Sequence, residues 1–454
     1  MSQIFDRYDR QLRLWGHDGQ HLLENSHITI VIDNDANKTV DLLEETLKNV
    51  ILVGVKNITL NNLCDCKLDN VISNVLPLND GVHIDQTTDP LSRMSASPQT
   101  DLFLLLNLDN KAEALFTNNP FKIKSIATHV NGMLGHIRMY YPSPHFISNT
   151  HSDRNIPDLR LKDPWPEYKS FLNSFDDDLK NDVAAATVPY PVILYKVIDG
   201  VTNPSTKAIK QRLEEVYLTR YKKDAFYDLN YEQAKKYAYL INANDNIYDT
   251  KFVPVFEFVK ELITSPRECS KYLSKYDKKL LNLILTTEQF ISKYGRIPFS
   301  GILPDLESSS ENYARLKKIF IEKFSSDCKD FSTLYDMQFC DEKLNSNEIQ
   351  EFLKNLDDIA VVEPNMPQTI TTTNTKYSEE SNSYLKLVNG ETNIDNIDNS
   401  LRTSLQLESY SVTTMLGSIA SQEIFKLITH QFVPIKNIFI YNATNQTTEL
   451  IEIP

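Results

Sequence analysis

A doubly wound α/β sheet, interrupted by a long helical insertion, is the fold class this sequence predicts. Three observations predict it. Apolar, β-branched runs alternate with amphipathic helical patterns over the first 150 residues. Strand-like runs then thin out, and helical periodicity dominates from about 150 to 400. The last 50 residues return to a helix followed by two strands. Strands alternating with helices produce a largely parallel sheet with helices on its faces.

The elements follow in order. His27-Ile28-Thr29-Ile30-Val31-Ile32 is apolar at nearly every position, as a strand buried on both faces must be. Residues 39–51 carry Val40, Leu43, Leu47 and Val50 at helical spacing, opposite Asp41, Glu44, Glu45 and Lys48. Gly54 stops that helix. Asn57 to Leu60 and Asp101 to Leu108 are two further strands, and residues 123–141 are strands around turns at Gly132 and Gly135. In the middle, Leu280, Leu281, Leu283, Ile284, Phe290 and Ile291 share one broad helical face. Asn345 and Glu348 form a capping box at the head of a helix running to about Leu356. Gln368 to Ser383 has no apolar period and predicts a loop or disordered segment. Val412 to Thr429 predicts a helix with Leu416, Ala420, Ile424 and Ile428 in line, beside small residues Gly417, Ser418 and Ser421. That small patch suits close packing, either on a partner or on the chain's own sheet. Ile438 to Tyr441 and Thr448 to Ile453 are strands around an Asn445-Gln446 turn. The expected organisation is 1–160 for the N-terminal part of the sheet fold, 161–405 for the mainly helical insertion, and 406–454 for the return.

Composition excludes several functions. There are 11 glycines in 454 residues, against a usual share of about 7%. No two are separated by a single residue, so neither G-x-G-x-x-G nor G-x-x-x-x-G-K-[ST] exists in the chain. The net charge is −14 with no clustered basic stripe, which argues against nucleic acid and anionic membrane partners. The longest apolar stretch, around Leu102 to Leu106, is far short of the ~18 residues of a membrane span. Asp6, Arg7, Asp9 and Arg10 stand where a signal peptide needs an apolar run. Five cysteines, few and odd in number, fit a reducing compartment, cytoplasmic or nuclear.

The turn after the first strand is where a doubly wound sheet binds phosphate. Here it is Asp33-Asn34-Asp35-Ala36-Asn37-Lys38. It lacks glycine, so side chains obstruct backbone approach, and its two carboxylates repel an anion. Two readings stand: this is not a nucleotide fold, or it is one that has lost its nucleotide. Cys64 and Cys66 lack structural-zinc spacing. Cys328 follows Asp327, and Cys340 precedes Asp341 and Glu342, neighbours that suppress a thiolate. Cys269 follows Arg267 and Glu268, a mixed setting, and all five cysteines read as structural. The nine histidines include no H-E-x-x-H, and His145 with His151 and Asp153 falls short of a metal ligand set, so no metal is expected. Arg7, Arg10 and Arg13 recur every three residues, with Leu12 and Trp15 available for burial. They form either a solvated face of an amphipathic helix or an arginine delivered to an anion.

The run Tyr8-Asp9-Arg10-Gln11-Leu12-Arg13-Leu14-Trp15-Gly16 resembles the opening of the non-catalytic subunits of ubiquitin-like-protein-activating enzymes. Gly417-x-x-Ala420-Ser421-Gln422-Glu423-x-x-Lys426 resembles the C-terminal helix of the same ThiF-like (Rossmann-like) adenylation fold. Gly132-x-x-Gly135-x-x-Arg138, Asp158-Leu159-Arg160-Leu161 and Pro164-Trp165-Pro166 are similar to its crossover region. Gly295-Arg296-Ile297-Pro298, Gly301 to Asp305, Tyr313-x-x-Leu316 and Gln431-Phe432-Val433-Pro434 narrow the resemblance to one branch. That branch is the regulatory subunit of the neddylation-activating enzyme, which serves a Rub/Nedd-type ubiquitin-like protein.

The resemblance implies a heterodimer of two related adenylation folds. The catalytic partner holds ATP, magnesium, the ubiquitin-like protein and the catalytic cysteine, and this chain binds no cofactor by itself. The insertion corresponds to a catalytic-cysteine half-domain without the cysteine. Arg10 is the one catalytic contribution, reaching in trans to ATP on the partner. Tyr8, Gln11, Leu12, Trp15, Gly417, Ser421 and Gln422 are expected at the interface, and Asp33, Asn34, Asp35 and Asn37 form the degenerate nucleotide turn. Whether the chain counts as an enzyme stays open, since it has no complete active site. The alternatives are the regulatory subunit for the SUMO-type modifier, which has a much shorter middle; a self-sufficient adenylating enzyme, which needs a glycine-containing phosphate turn; and an interaction scaffold without a catalytic contribution.

Overall fold

A computed structural model describes residues 7–33, 37–64, 67–87, 100–152, 157–202, 204–221, 228–242, 252–264, 275–341, 343–365, 377–407 and 409–451. The chain forms two compact units. One comprises Met1–His151, Arg267–Asp277 and Ala360–Pro454, and the other Ser152–Pro266 and Lys278–Ile359.

The first unit is built on an eight-stranded sheet. Its strands are β1 (His27–Ile32), β2 (Asn57–Asn62), β3 (His83–Thr87), β4 (Leu102–Leu106), β5 (Lys124–Asn131) and β6 (Leu134–Tyr140), joined by the two C-terminal strands Ile438–Asn442 and Thr447–Ile451. β1 pairs in parallel with β2 on one side and β4 on the other, and β2–β3 and β4–β5 are also parallel. From β5 outward the pairing is antiparallel, through β6 to the C-terminal strands. The winding reverses between β1 and β4, so this is a doubly wound sheet with its switch point there. All five residues of β4 are buried, as are five of the six in β1. That is the pattern of central parallel strands covered on both faces. A two-stranded ribbon of β7 (His145–Ile147) and β8 (Ala360–Val362) lies apart from this sheet.

Three helices cover the β1 region: α1 (Asp9–Asn25), α2 (Asn37–Leu52) and the long C-terminal helix Tyr410–Thr429. The C-terminal helix packs on α2 through its small residues. A Cβ built on Gly417 would lie 3.2 Å from Thr46 Oγ1 and 3.4 Å from Glu45 Cβ and Leu42 Cδ1. Ser421 is buried and donates to the Gly417 carbonyl at 2.8 Å. The small patch therefore serves packing within this chain, and on a helix rather than on the sheet. Gly417→Leu is expected to cost this chain about 1–3 kcal/mol, because well-packed interiors resist added volume. Thermal unfolding of the isolated chain checks it, and an unchanged midpoint contradicts the packing described.

The second unit is mainly helical. Its principal helices are α3 (Tyr190–Ile198), α4 (Ser310–Gln338) and α5 (Ser346–Lys354), together with most of Lys275–Tyr294. The capping box at Asn345 and Glu348 is present in both directions, 2.9 Å each way. An aromatic cluster joins Trp165, Tyr168, Phe299 and Phe320, with centroids 4.9–5.6 Å apart.

Several local expectations change. Gly135 lies inside β6, not in a turn. A Cβ there would run into Leu416 and the His129 carbonyl, so the glycine lets the C-terminal helix approach the sheet. The hairpin turn is Gly132-Met133 alone. Of the expected loop Gln368 to Ser383, residues 368–376 lie outside the described residues, and Glu379–Val388 is a helix capped by Ser378. That helix and Asn399–Gln406 pack Tyr384, Leu385 and Leu401 against Leu134, Ile438 and Ile440. Residues 360–365 and 377–405 thus sit in the sheet-bearing unit, whereas the sequence reading groups them with the insertion.

Candidate functional site

The switch point between β1 and β4 is the place a doubly wound fold offers to a nucleotide. Here the described residues around it bond to one another. Asp33, at the end of β1, accepts from the Asp109 backbone amide at 3.2 Å. Asp109 in turn accepts from the Lys111 and Ala112 amides at 2.9 and 2.7 Å, capping Asn110–Thr117. Asn107, just past β4, donates to Thr39 Oγ1 on α2 at 3.0 Å and accepts from the Val130 amide at 2.8 Å. Among the described residues, the Asp109 amide at this switch point is taken by a carboxylate of this chain. Asn34 and Asp35 lie outside the described residues, and Asn37 opens α2. Asn107, Thr39 and Asp109 are site residues that sequence reading missed. An Asn-x-Asp after a buried strand was the available signal.

The N-terminal run forms the first turns of α1, which is broken at Gly16. Gly16 has φ 72 and ψ 178, a combination essentially reserved for glycine. The break separates Asp9–Trp15 from the rest of the helix. Within that segment the arginines have different fates. Arg7 donates to the Leu78 carbonyl. Arg13 pairs with Asp9 at 2.9 Å. Arg10 is exposed, and among the described residues no hydrogen bond or ion pair holds its guanidinium. Leu14, one turn on, is 54% exposed.

The residues expected at an interface divide in two. Trp15 is buried, donates to Gln20 Oε1 at 3.1 Å and stands 5.2 Å from the Phe425 ring. With Gly417 and Ser421 it belongs to this chain's own core, which corrects the interface assignment for those three. The reason is α1 and α2 closing on the C-terminal helix. Tyr8, Gln11 and Leu12 are partly exposed and Gln422 is exposed. The Tyr8 hydroxyl accepts from Asn79 Nδ2 at 2.8 Å.

Gly16→Ala tests the break directly. Nothing lies within 4 Å of an added Cβ, so the cost is backbone strain alone. It is expected to destabilise the chain by about 1–3 kcal/mol. Urea unfolding checks it, and a neutral or stabilising result contradicts the break.

In the second unit, motifs far apart in sequence meet. Arg160 pairs with Asp158 at 2.8 Å and donates to the Pro298 carbonyl at 3.1 Å. A cavity of about 740 Å³ lies among Asp158, Arg160, Gly295, Arg296 and Pro298. Arg296 donates to the fully buried Asp327 at 2.5 and 2.7 Å. Burial pushes the Asp327 carboxyl up, but Arg296, the Phe299 amide and Lys323 outweigh it and hold it below the usual range. Next to it, burial and then the Asp327 charge push the Cys328 thiol up to about 11, so it is no thiolate nucleophile. Cys64 and Cys340 are also free, and Cys66 and Cys269 lie outside the described residues. His151 bonds to Gln431 at 2.7 Å rather than joining His145, and Asp153 lies outside the described residues. No described helix is long and apolar enough to cross a membrane.

No protein-family model matches the chain. It is 28% identical to the NEDD8-activating enzyme E1 regulatory subunit of Saccharomyces cerevisiae over 477 residues, taking in 99% of this chain and 100% of that protein. It is 24% identical to the NEDD8-activating enzyme E1 regulatory subunit AXL of Arabidopsis thaliana over 547 residues, 100% of each. Among solved structures, E. coli MccB with AMPCPP and MccA matches at 11% identity and a TM-score of 0.24, over 31% of this chain and 50% of that one. So partial a match adds nothing to the topology above. With similarity along 98–100% of its residues to proteins of one name in yeast, Arabidopsis and Xenopus laevis, this chain is a relative of the NEDD8-activating enzyme E1 regulatory subunits.

Proposed function

We propose that this chain is the regulatory subunit of a heterodimeric enzyme that activates a NEDD8-type (Rub/Nedd) ubiquitin-like protein. In this reading the catalytic partner holds ATP, magnesium, the modifier and the thioester-forming cysteine. This chain binds no nucleotide of its own and supplies Arg10 in trans. The observation that carries the reading is the division of labour in the first turns of α1. Arg7 and Arg13 are engaged within the chain, while Arg10 is exposed and has no hydrogen bond or ion pair among the described residues. The switch point supports the same reading, because Asp33, bonded there to the Asp109 amide, sets a carboxylate where an anion would be repelled.

The chemistry follows from the reaction. A carboxylate oxygen attacks the α-phosphorus of ATP, a new P–O bond forms, and the bond to pyrophosphate breaks. Negative charge grows on the leaving group as it departs. A guanidinium already positioned there stabilises that charge through two parallel N–H donors. Lysine offers charge without the planar fork. The free thiols Cys64, Cys328 and Cys340 support a reducing compartment, cytoplasmic or nuclear.

Pull-down with candidate catalytic subunits tests the assignment. Retention by the NEDD8-type catalytic subunit and not by the SUMO-type one is expected. The reverse pattern overturns the choice of modifier. ATP binding by the isolated chain revives the self-sufficient enzyme.

A further inference from the structure

Three residues far apart in sequence meet in the buried interior of the first unit. His145 starts β7, Asp277 lies on Lys275–Tyr294, and His430 follows the C-terminal helix. All three are buried, and one donor atom from each lies within 4.8 Å of the other two. The His145 and His430 rings stack with centroids 4.7 Å apart. Both ring nitrogens of His145, fully buried, lack a hydrogen-bond partner among the described residues. A buried polar group without a partner costs about 1–3 kcal/mol. This imidazole leaves two such atoms, beside a second imidazole and a carboxylate.

From this arrangement we propose that His145, Asp277 and His430 bind a divalent transition-metal ion, of the zinc class. Two imidazoles and one carboxylate suit a zinc-like ion and not a magnesium-like one, which prefers an all-oxygen shell. Donor atoms around a tetrahedral zinc stand about 3.3 Å apart, given bonds of about 2.0–2.1 Å. The three donors therefore close on the ion by side-chain shifts of about 1 Å. The backbone of β7 orients the set. The Phe146 carbonyl accepts from His430 Nδ1 at 2.8 Å, and the Phe146 amide donates to Asp277 Oδ1 at 3.3 Å. Tyr276 also stacks on His430, with ring centroids 4.4 Å apart. Outer contacts of this kind fix the orientation of metal ligands.

Lys124 is the competing cation. Its ammonium lies 3.5 Å from Asp277 Oδ2. Its side chain keeps 14% exposure, enough for the long stem to turn outward when an ion arrives. The ion would staple the end of the C-terminal helix to β7 and to Asp277. This role is independent of the activating-enzyme reading, and it needs no nucleotide.

The test uses the full chain, freed of metal by a chelator and titrated with Co²⁺. One equivalent is expected to give the visible absorption of tetrahedral cobalt, and Zn²⁺ is expected to bleach it. His145→Phe keeps the ring volume, and Asp277→Asn keeps the carboxylate's shape. Each is expected to weaken binding at least tenfold while circular dichroism stays that of the parent. Lys124→Gln is expected to bind Co²⁺ more tightly. Absence of stoichiometric cobalt binding by the parent chain overturns the proposal, whatever the variants do. So does undiminished binding in folded His145→Phe and Asp277→Asn.

Discussion

Arg10→Ala is expected to slow ATP–pyrophosphate exchange by the assembled heterodimer at least 100-fold while leaving the heterodimer intact. Loss of one preorganised charge-stabilising donor typically costs ~10²–10³ in rate, and an arginine acting in trans on phosphoryl transfer ~10³–10⁵. Stability does not confuse the result. Arg10 is exposed and makes no hydrogen bond or ion pair among the described residues. Surface substitutions of that kind stay within about 0.5 kcal/mol. Arg13→Ala is the matched control, since its pair with Asp9 is 77% and 56% exposed and is worth ~0–1 kcal/mol. It is expected to leave exchange unchanged. Arg10→Lys is expected to recover only part of the rate. Exchange by Arg10→Ala equal to the parent at both saturating and low ATP removes the trans role and leaves a scaffold.

Arg296→Ala is expected to destabilise the second unit by about 3–5 kcal/mol, since breaking a buried pair leaves an uncompensated charge. Asp327 would keep only the Phe299 amide at 2.9 Å and Lys323 at 3.1 Å. Those two contacts place the result near the lower end. Linkage gives a second readout. Asp327 titrates below its ordinary value in the folded chain. Its stabilising contribution is therefore present above the unfolded pKa of about 3.9 and is lost as pH falls through the lower folded value. The variant is expected to show less of this acid-side loss. Urea unfolding followed from neutral to acid pH measures both. A midpoint at neutral pH equal to that of the parent contradicts the structural role given to Arg296.

The same pair shows what could be read from sequence. The segment Gly295-Arg296-Ile297-Pro298 stands out as a motif, but its partner Asp327 lies 31 residues away on a long helix. Nothing in local spacing announces it. The first strand and helix are legible because burial on both faces of β1, and on one face of α2, writes a period into the chain. The capping box is legible because both partners lie within four residues. β3 is not, because it is an edge strand with three of its five residues exposed and no apolar period. Gly135 misleads because glycine marks both turns and close approach, and here Leu416 decides the matter from far along the chain.

The candidate site divides the same way. The glycine-free turn at 33–38 predicts a poor phosphate cradle; of that turn Asp33 is bonded to the Asp109 amide, and residues 34–36 lie outside the described residues. Three arginines at helical spacing look equivalent in sequence. Their separation into two engaged and one without a partner among the described residues depends on Leu78 and Asp9, and on the break at Gly16. Small residues at 417 and 421 suit any close contact, and only the position of α2 assigns it to the chain itself.

The central claim, a subunit that lends an arginine to its partner's ATP, is tested most directly by pyrophosphate exchange in three mixtures. These are this chain alone, the catalytic subunit alone, and the two together, each with ATP, magnesium and the NEDD8-type modifier. Exchange only in the combined mixture, lost when Arg10→Ala replaces the parent chain, is the predicted result. Exchange by this chain alone, or full activity of the catalytic subunit without it, contradicts the account.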